Sequence, residues 1–289
     1  MTSKIKNKSR KKPRSLTRIR KTILALSLLG TFLLGLRHIM PGEESRGGSF
    51  DSFCPFGGVE SLYHYLTTGQ TLEGLSPLTF SILIGVLGVS LLGGRAFCGW
   101  MCPLGAAQEF LAGLARRLSG GGGRKIRGKP GKARFPTRFP QKIDKWLRYG
   151  KYVVLAIVLV ASVRAVALPL YDLCPARAVF SFKLNTPLLW SVLITFIVTS
   201  MWVDRFWCKY LCPLGALLAI FNKIAPLRIA VDNNHCVACG RCETDCPMDI
   251  ADTWENTDSL ECIQCMECVE TCALPDTMTI RLGWRLPRK

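Results

Sequence analysis

With 289 residues, 49% of them hydrophobic and only 20% charged, the chain has the composition of a membrane protein with polar segments attached, and its long uncharged stretches exclude an ordinary soluble enzyme. The formal net charge of +18 is concentrated in residues 4–21 (KIKNKSRKKPRSLTRIRK) and 116–151. No amphipathic recognition helix or base-stacking pattern accompanies these groups, so nucleic acid is excluded as a partner and they read as segments retained on the inner side of a membrane.

The basic tail, 1–21, leads into a first apolar run at 22–40. It has the charged start of a signal peptide, but RHIMPGEES is a poor cleavage site, so an uncleaved helix is expected. Further apolar runs at 78–97, 152–170 and 188–203 make four expected spans, some shorter than the roughly 20 residues a bilayer asks for. Arg37, beside His38 near the outer end of the first, and Arg164 in the third are expected to snorkel, with a role near a quinone or cluster as the lesser alternative. Between the second and third spans, residues 116–151 hold 13 Lys/Arg against one acid, Asp144. Within it GGGGRKIRGKPGKARFPTRFP (120–140) reads as a flexible, Gly/Pro-rich inner linker without a core of its own. The outer segments, 41–77 and 171–187, are poor in basic residues, so both termini fall on the cytoplasmic side.

The two halves repeat one another. FCPFGGV (Cys54) and RAFCGWMCPLGA (Cys98, Cys102) in the first correspond to LCPARAV (Cys174) and RFWCKYLCPLGA (Cys208, Cys212) in the second. Two copies of a helical hairpin imply a twofold pseudo-axis along the membrane normal. Cys54 would then face Cys174 outside, and Cys98 and Cys102 would face Cys208 and Cys212 inside. Pro103 and Pro213 each suit the first position of a helix, with Cys102 and Cys212 as N-caps, where the dipole favours a thiolate or an anionic cluster. The helices that follow are expected near the inner interface. For these six cysteines, metal or cluster ligation, a thiol relay and plain apolar burial all remain open at this point.

The C-terminal segment carries CVACGRCETDCP (236–247) and CIQCMECVETC (262–272), both Cys-x2-Cys-x2-Cys-x3-Cys. That is the spacing of a paired four-iron module in which each fourth cysteine crosses over. Cys236, Cys239, Cys242 and Cys272 are therefore expected to hold one [4Fe–4S] cluster, and Cys246, Cys262, Cys265 and Cys268 the other. Cys272 departs from the pattern, with Ala273 and Leu274 standing before Pro275. His38, His64 and His235 are the only histidines and none follows a Cys-x-x-Cys, so covalent haem is not indicated. No nucleotide-binding motif or catalytic triad is present, and no catalytic residue is assigned.

Four spans, two Cys-x3-Cys-Pro motifs and a double ferredoxin resemble the NapH-type membrane ferredoxins, and the membrane part of NosR-type proteins, over residues 20–275. The fold expected is a polytopic α-helical membrane protein, four transmembrane helices as two duplicated hairpins, followed by an α+β bacterial-type double [4Fe–4S] ferredoxin domain. Its divisions are a tail (1–21), a first membrane repeat (22–115), the linker (116–151), a second repeat (152–225) and the ferredoxin domain with its tail (226–289). The resemblance implies a multi-pass protein of the bacterial inner membrane, in contact with lipid. It would exchange electrons with quinone or quinol, or with a cytoplasmic donor, and serve a redox partner subunit or periplasmic reductase as part of a quinol dehydrogenase-like system. The alternative is a copper-handling or maturation factor for a periplasmic redox enzyme, with metal at the membrane cysteines, since soft thiolates suit cuprous ion.

Overall fold

The first helix begins inside the basic tail rather than after it. The computed structural model describes residues 15–37, 58–59, 62, 66, 77–119, 137–163, 174–180, 186–232, 235–251, 253, 259–272, 274 and 277–283. In chain order the helices are α1 (Ser15–Arg37), α2 (Pro77–Gly93), α3 (Ala96–Trp100), α4 (Pro103–Leu118) and α5 (Gln141–Leu147). They continue as α6 (Gly150–Val163), α7 (Pro175–Phe180), α8 (Pro187–Trp202), α9 (Phe206–Tyr210) and α10 (Pro213–Ile224). The C-terminal module adds β1 (Leu227–Val231), α11 (Arg241–Thr244), α12 (Glu267–Thr271) and β2 (Met278–Leu282).

Helices α1, α2, α6 and α8 fall on the four apolar runs. Among the described residues, one stretch of 22 residues, Ser15–Leu36, is long and apolar enough to cross a membrane by length and composition; α2 has 17 residues, α6 has 14 and α8 has 16. The last part of the third run, with Arg164, lies outside the described residues, as do His38 and the side chain of Arg37. All four helices present large apolar side chains on their outsides: Leu26 and Leu29 on α1, Ile84 and Leu92 on α2, Val153 and Ile157 on α6, Trp190 and Ile194 on α8.

Helices α4 and α10 pack among the long helices. Helix α4 packs between α1 and α8, and α10 between α6 and α2. Each therefore touches the first long helix of its own half and the second of the other, which is the pattern an exchange of halves about a twofold axis generates. The small residues Ala112 and Ala115 of α4, and Ala216 and Ala219 of α10, are buried and let the helices approach closely.

The C-terminal module is closed by an antiparallel pair, β1 with β2, in register Leu227↔Leu282 through Val231↔Met278. It is held on the helices by a layer of buried ion pairs. Arg20, fully buried on α1, donates to the carbonyl of Gly99 at 3.0 Å, to Glu267 at 2.6 Å and to Glu109. Arg95 pairs with Glu261 at 3.0 Å, and Lys151 pairs with the same carboxylate. Asn222 of α10 accepts from the Arg95 amide at 2.8 Å and donates to the Cys262 carbonyl at 2.7 Å. The end of the linker joins in, contrary to the expectation of a flexible stretch. Arg138 donates to the Thr244 carbonyl at 2.7 Å and Arg148 to that of Met248 at 2.8 Å, so basic side chains satisfy carbonyls the module leaves over.

Removing one partner from such a layer leaves buried charge uncompensated. Arg20→Ala is expected to cost about 3–5 kcal/mol. Thermal unfolding in detergent should show a clear fall in midpoint, and protease should release the C-terminal module faster than from the parent chain.

Candidate functional site

Two pockets open in the C-terminal module. One is lined by Cys236, Cys239, Cys242 and Cys272, the other by Cys246, Cys262, Cys265 and Cys268. Each gathers three cysteines of one motif and the last cysteine of the other, and the two are alike in size, ≈ 390 and ≈ 410 Å³ counted out to the open mouth. The described cysteines are all free thiols. Among the described residues, no group of three or more His, Cys, Asp or Glu is set to hold a single metal ion. A four-iron cube spreads its thiolates farther apart than one ion does, and four cysteines around an otherwise apolar cavity fit that group.

The backbone around the two pockets repeats a costly detail. Ala238 and Gln264, third in their motifs, have φ of 46° and 49°, and Gly240 and Met266, fifth in each, have φ of 73° and 61°. For residues other than glycine such left-handed conformations cost about 1–3 kcal/mol and persist where the site demands them. Alternating right- and left-handed residues turns successive N–H groups to one side, forming a concavity for an anion. Burial pushes the Cys242 thiol up to about 11, and burial with Glu267 nearby raises that of Cys265. Left as thiols these groups hold their protons; iron takes the proton's place.

The repeated inner motifs meet beneath this module. Cys98 lies buried in α3 and Cys208 in α9, while Cys102 and Cys212 cap α4 and α10, each followed by proline. The four sulfurs stand within electrostatic reach of one another. Cys212 Sγ accepts from the Gly215 amide at 3.4 Å, and Gln108 Nε2 donates to Cys208 Sγ at 3.1 Å. Two arginines cross between the halves: Arg205 Nη1 donates to the Cys98 carbonyl at 2.8 Å, and Arg95 Nη2 to the Cys208 carbonyl at 3.5 Å. The glycine of each CPLGA makes room for them, since a Cβ on Gly105 would stand 3.2 Å from Arg205 Nη1, and one on Gly215 would stand 3.0 Å from Arg95 Nη2. Of the outer cysteines, Cys174 directly precedes α7, while Cys54 lies outside the described residues, and with it the expected pairing of the two.

One apolar cluster joins the two levels. It contains Cys98, Leu214, Leu218, Met248, Ile250 and Ile263, with Cys212, Cys262 and Cys265 packed against it. The pocket of Cys246, Cys262, Cys265 and Cys268 therefore adjoins the inner motifs. The other pocket has an exposed edge at Cys239 and at Val237, which is 69% exposed. Contact between the levels is direct: Trp100 Nε1 donates to the Gln264 carbonyl at 2.9 Å, and a Cβ on Gly99 would stand only 2.2 Å from the Ile263 oxygen.

Sequence reading singled out all the cysteines, but missed Arg20, Gln108, Glu109, Asn222 and Glu261. Three of these had a local signal. Gln108 and Glu109 are polar residues inside an otherwise apolar stretch, and Glu261 directly precedes a ligand-type cysteine. Arg20 was hidden in a basic run.

The crossed lining of the pockets makes a reciprocal prediction. Cys272→Ser should lose about four irons and the spectroscopic signal of the pocket formed by the first motif. Cys246→Ser should do the same to the pocket of the second. Iron analysis with electron paramagnetic resonance (EPR) of the reduced proteins checks both, and loss from the uncrossed pocket would contradict the lining.

Comparison with known proteins agrees with the cysteine chemistry. Residues 75–121 and 184–230 each match the family described as a 4Fe-4S binding domain, and residues 228–273 match the 4Fe-4S dicluster domain. Ferredoxin-type protein NapH of Haemophilus influenzae is 30% identical over 77% of this chain and 71% of its own length. An uncharacterised protein of Methanocaldococcus jannaschii is 34% identical over 76% of this chain and 82% of its own. YccM of Escherichia coli, named provisionally as an electron transport protein, is 30% identical over 82% of this chain, which spans 65% of that relative. No solved structure matches. The chain thus carries [4Fe–4S] clusters, and its C-terminal module is of ferredoxin type.

Proposed function

We propose, for a chain that belongs to the family of NapH-like ferredoxin-type proteins, that it is a four-span protein of the bacterial inner membrane that conducts single electrons between its cytoplasmic face and the bilayer. Cys236, Cys239, Cys242 and Cys272 hold the outermost cluster; Cys246, Cys262, Cys265 and Cys268 hold the one next to the membrane repeats. The observation that carries this reading is the apolar cluster in which Cys262 and Cys265 pack with Cys98 and Cys212, because it sets one cluster pocket directly on the seam between the halves. Clusters suit the task because they change charge with little change in geometry, at potentials set by burial and hydrogen bonding. The chain acts as a component of a quinol dehydrogenase-like system, not as a stand-alone enzyme: the cytoplasmic donor or the quinone pool supplies one end, and an extracytoplasmic reductase system the other.

Four observations support the membrane arrangement. Apolar side chains stay exposed on all four long helices, which lipid tolerates and water does not. The N-terminal turn of α1 bonds to the module, Thr17 to Glu270 at 3.0 Å, so the start of the chain and the ferredoxin share a side. Lys151, at the start of α6, pairs with Glu261 on that same side. The dense basic segments 4–21 and 116–151 favour the cytoplasm for it.

Reporter fusions after residues 60 and 178 should read as periplasmic, and those near Gly122 and at Lys289 as cytoplasmic. A periplasmic signal at Lys289 would overturn the arrangement. For the electron path, Gly99→Val should force the module away from Ile263 while leaving both ferredoxin clusters intact by EPR. In proteoliposomes, reoxidation of those clusters by quinone in the bilayer should slow at least tenfold, about 1.4 kcal/mol in the barrier. An unchanged rate would remove the seam from the path.

A further inference from the structure

The iron–sulfur reading accounts for eight cysteines of the C-terminal module and leaves four more at the seam, two from each half. Resting on that reading, we infer a third cluster: Cys98, Cys102, Cys208 and Cys212 jointly hold one [4Fe–4S] group on the pseudo-axis, and Arg95 and Arg205 hydrogen-bond to it through Nε. The two repeats thus make one site between them, and each alone supplies half of it.

Three independent features point to an anionic group at this place. The first is the donor set itself. Four thiols with no disulfide among them come from two α-helical N-caps, on helices of 16 and 12 residues, and from the short helices α3 and α9 just before them. Helix N-termini with proline at the first position direct free N–H groups and partial positive charge at whatever the caps bind.

The second is a matched pair of unsatisfied donors. Arg95 and Arg205 are 0% and 1% exposed, yet in both the Nε is buried without a hydrogen-bond partner, although the Nη groups are engaged by carbonyls and carboxylates. An orphaned buried N–H on a charged group is expensive. Two of them at equivalent positions of both halves, on the residues that clasp the cysteine backbones, mark a missing acceptor between the halves; the sulfurs of a cluster supply it.

The third is charge. In the adjoining ion-pair network, buried Arg20, Arg95, Arg205 and Lys151 meet three carboxylates, Glu109, Glu261 and Glu267. That leaves one positive charge over, and an oxidised four-iron cluster with four thiolates, at about −2, would more than offset it. Gln108 adds a donor to Cys208 that the second half lacks, Leu218 standing at the matching place, so the surroundings of the cluster are lopsided even though its ligands are not.

The full chain, purified anaerobically, should hold about twelve irons and twelve labile sulfides, three cubes' worth. Cys102→Ser with Cys212→Ser should lose about four of each and leave the EPR signals of both ferredoxin clusters unchanged. Arg205→Lys, which keeps the charge but removes the Nε donor, should retain all the iron and shift the midpoint potential of one cluster only, a change that mere structural support would not produce. About eight irons in the parent chain with no loss in the double variant, copper in place of the iron lost, or potentials unmoved in Arg205→Lys would each overturn the third cluster while leaving the ferredoxin reading intact. Absence of iron from the C-terminal module itself would instead sink the electron-transfer reading.

Discussion

A layer of buried charge between the two helical repeats and the ferredoxin module is the constraint on which the rest depends. Arg20, Arg95, Arg205, Lys151 and Lys209 are all 0–1% exposed, and their partners come from α4, from Glu267 of α12, from the residue before Cys262 and from Asp249 in the module. Charges so deep are tolerated only when paired with good geometry. Each pair therefore fixes a position: α1 against α12, the turn before α3 against the 259–262 loop, α9 against the turn after Cys246. Burial alone would raise the Glu261 carboxyl, yet Arg95 and Lys151 outweigh it and hold that carboxyl below the ordinary range. That carboxyl stays ionised between Arg95 and Lys151, and the pairs hold the module to the helices.

The halves are related by duplication, and the docked module accounts for where they differ. At the second position of the inner motif, Gly99 lies against the Ile263 carbonyl, where a side chain has no room; the matching Lys209 reaches Asp249 instead. The crossing arginines find their acids in different places, Arg205 in Glu109 of α4 and Arg95 in Glu261 of the module. At the place of Ala112, the second half has Asn222, which binds the Cys262 carbonyl. A single module cannot sit symmetrically on a twofold seam, so one half adapts by losing a side chain and the other by gaining polar ones.

Much of the chemistry was legible because cysteine spacing is a local signal. The crossed pairing of Cys272 with the first motif and Cys246 with the second follows from the three-residue gap before each, and the pockets are lined that way. Proline after Cys102 and Cys212 likewise announced helix starts that α4 and α10 display. What was not legible is what holds these pieces together. Arg20 and Glu267 are 247 positions apart, and no pattern within either neighbourhood betrays the other. In a run of basic residues, Arg20 reads as a solvated tail, while its helix begins at Ser15 and buries it. The end of the linker was misjudged for a related reason. A Gly/Pro-rich composition spoke for flexibility, whereas Arg138, within it, finds a carbonyl on the distant module.

Hydrogen exchange on the cluster-loaded protein in lipid nanodiscs tests the central claim most directly, because it reads whether the module and the repeats move as one body. The account predicts that the amides of residues 260–266 exchange as slowly as those of α3 and α9, and that Glu261→Gln speeds all three together. Rapid exchange of 260–266 beside fully protected α3 and α9 would contradict it, for the module would then be a tethered domain and the seam an open surface.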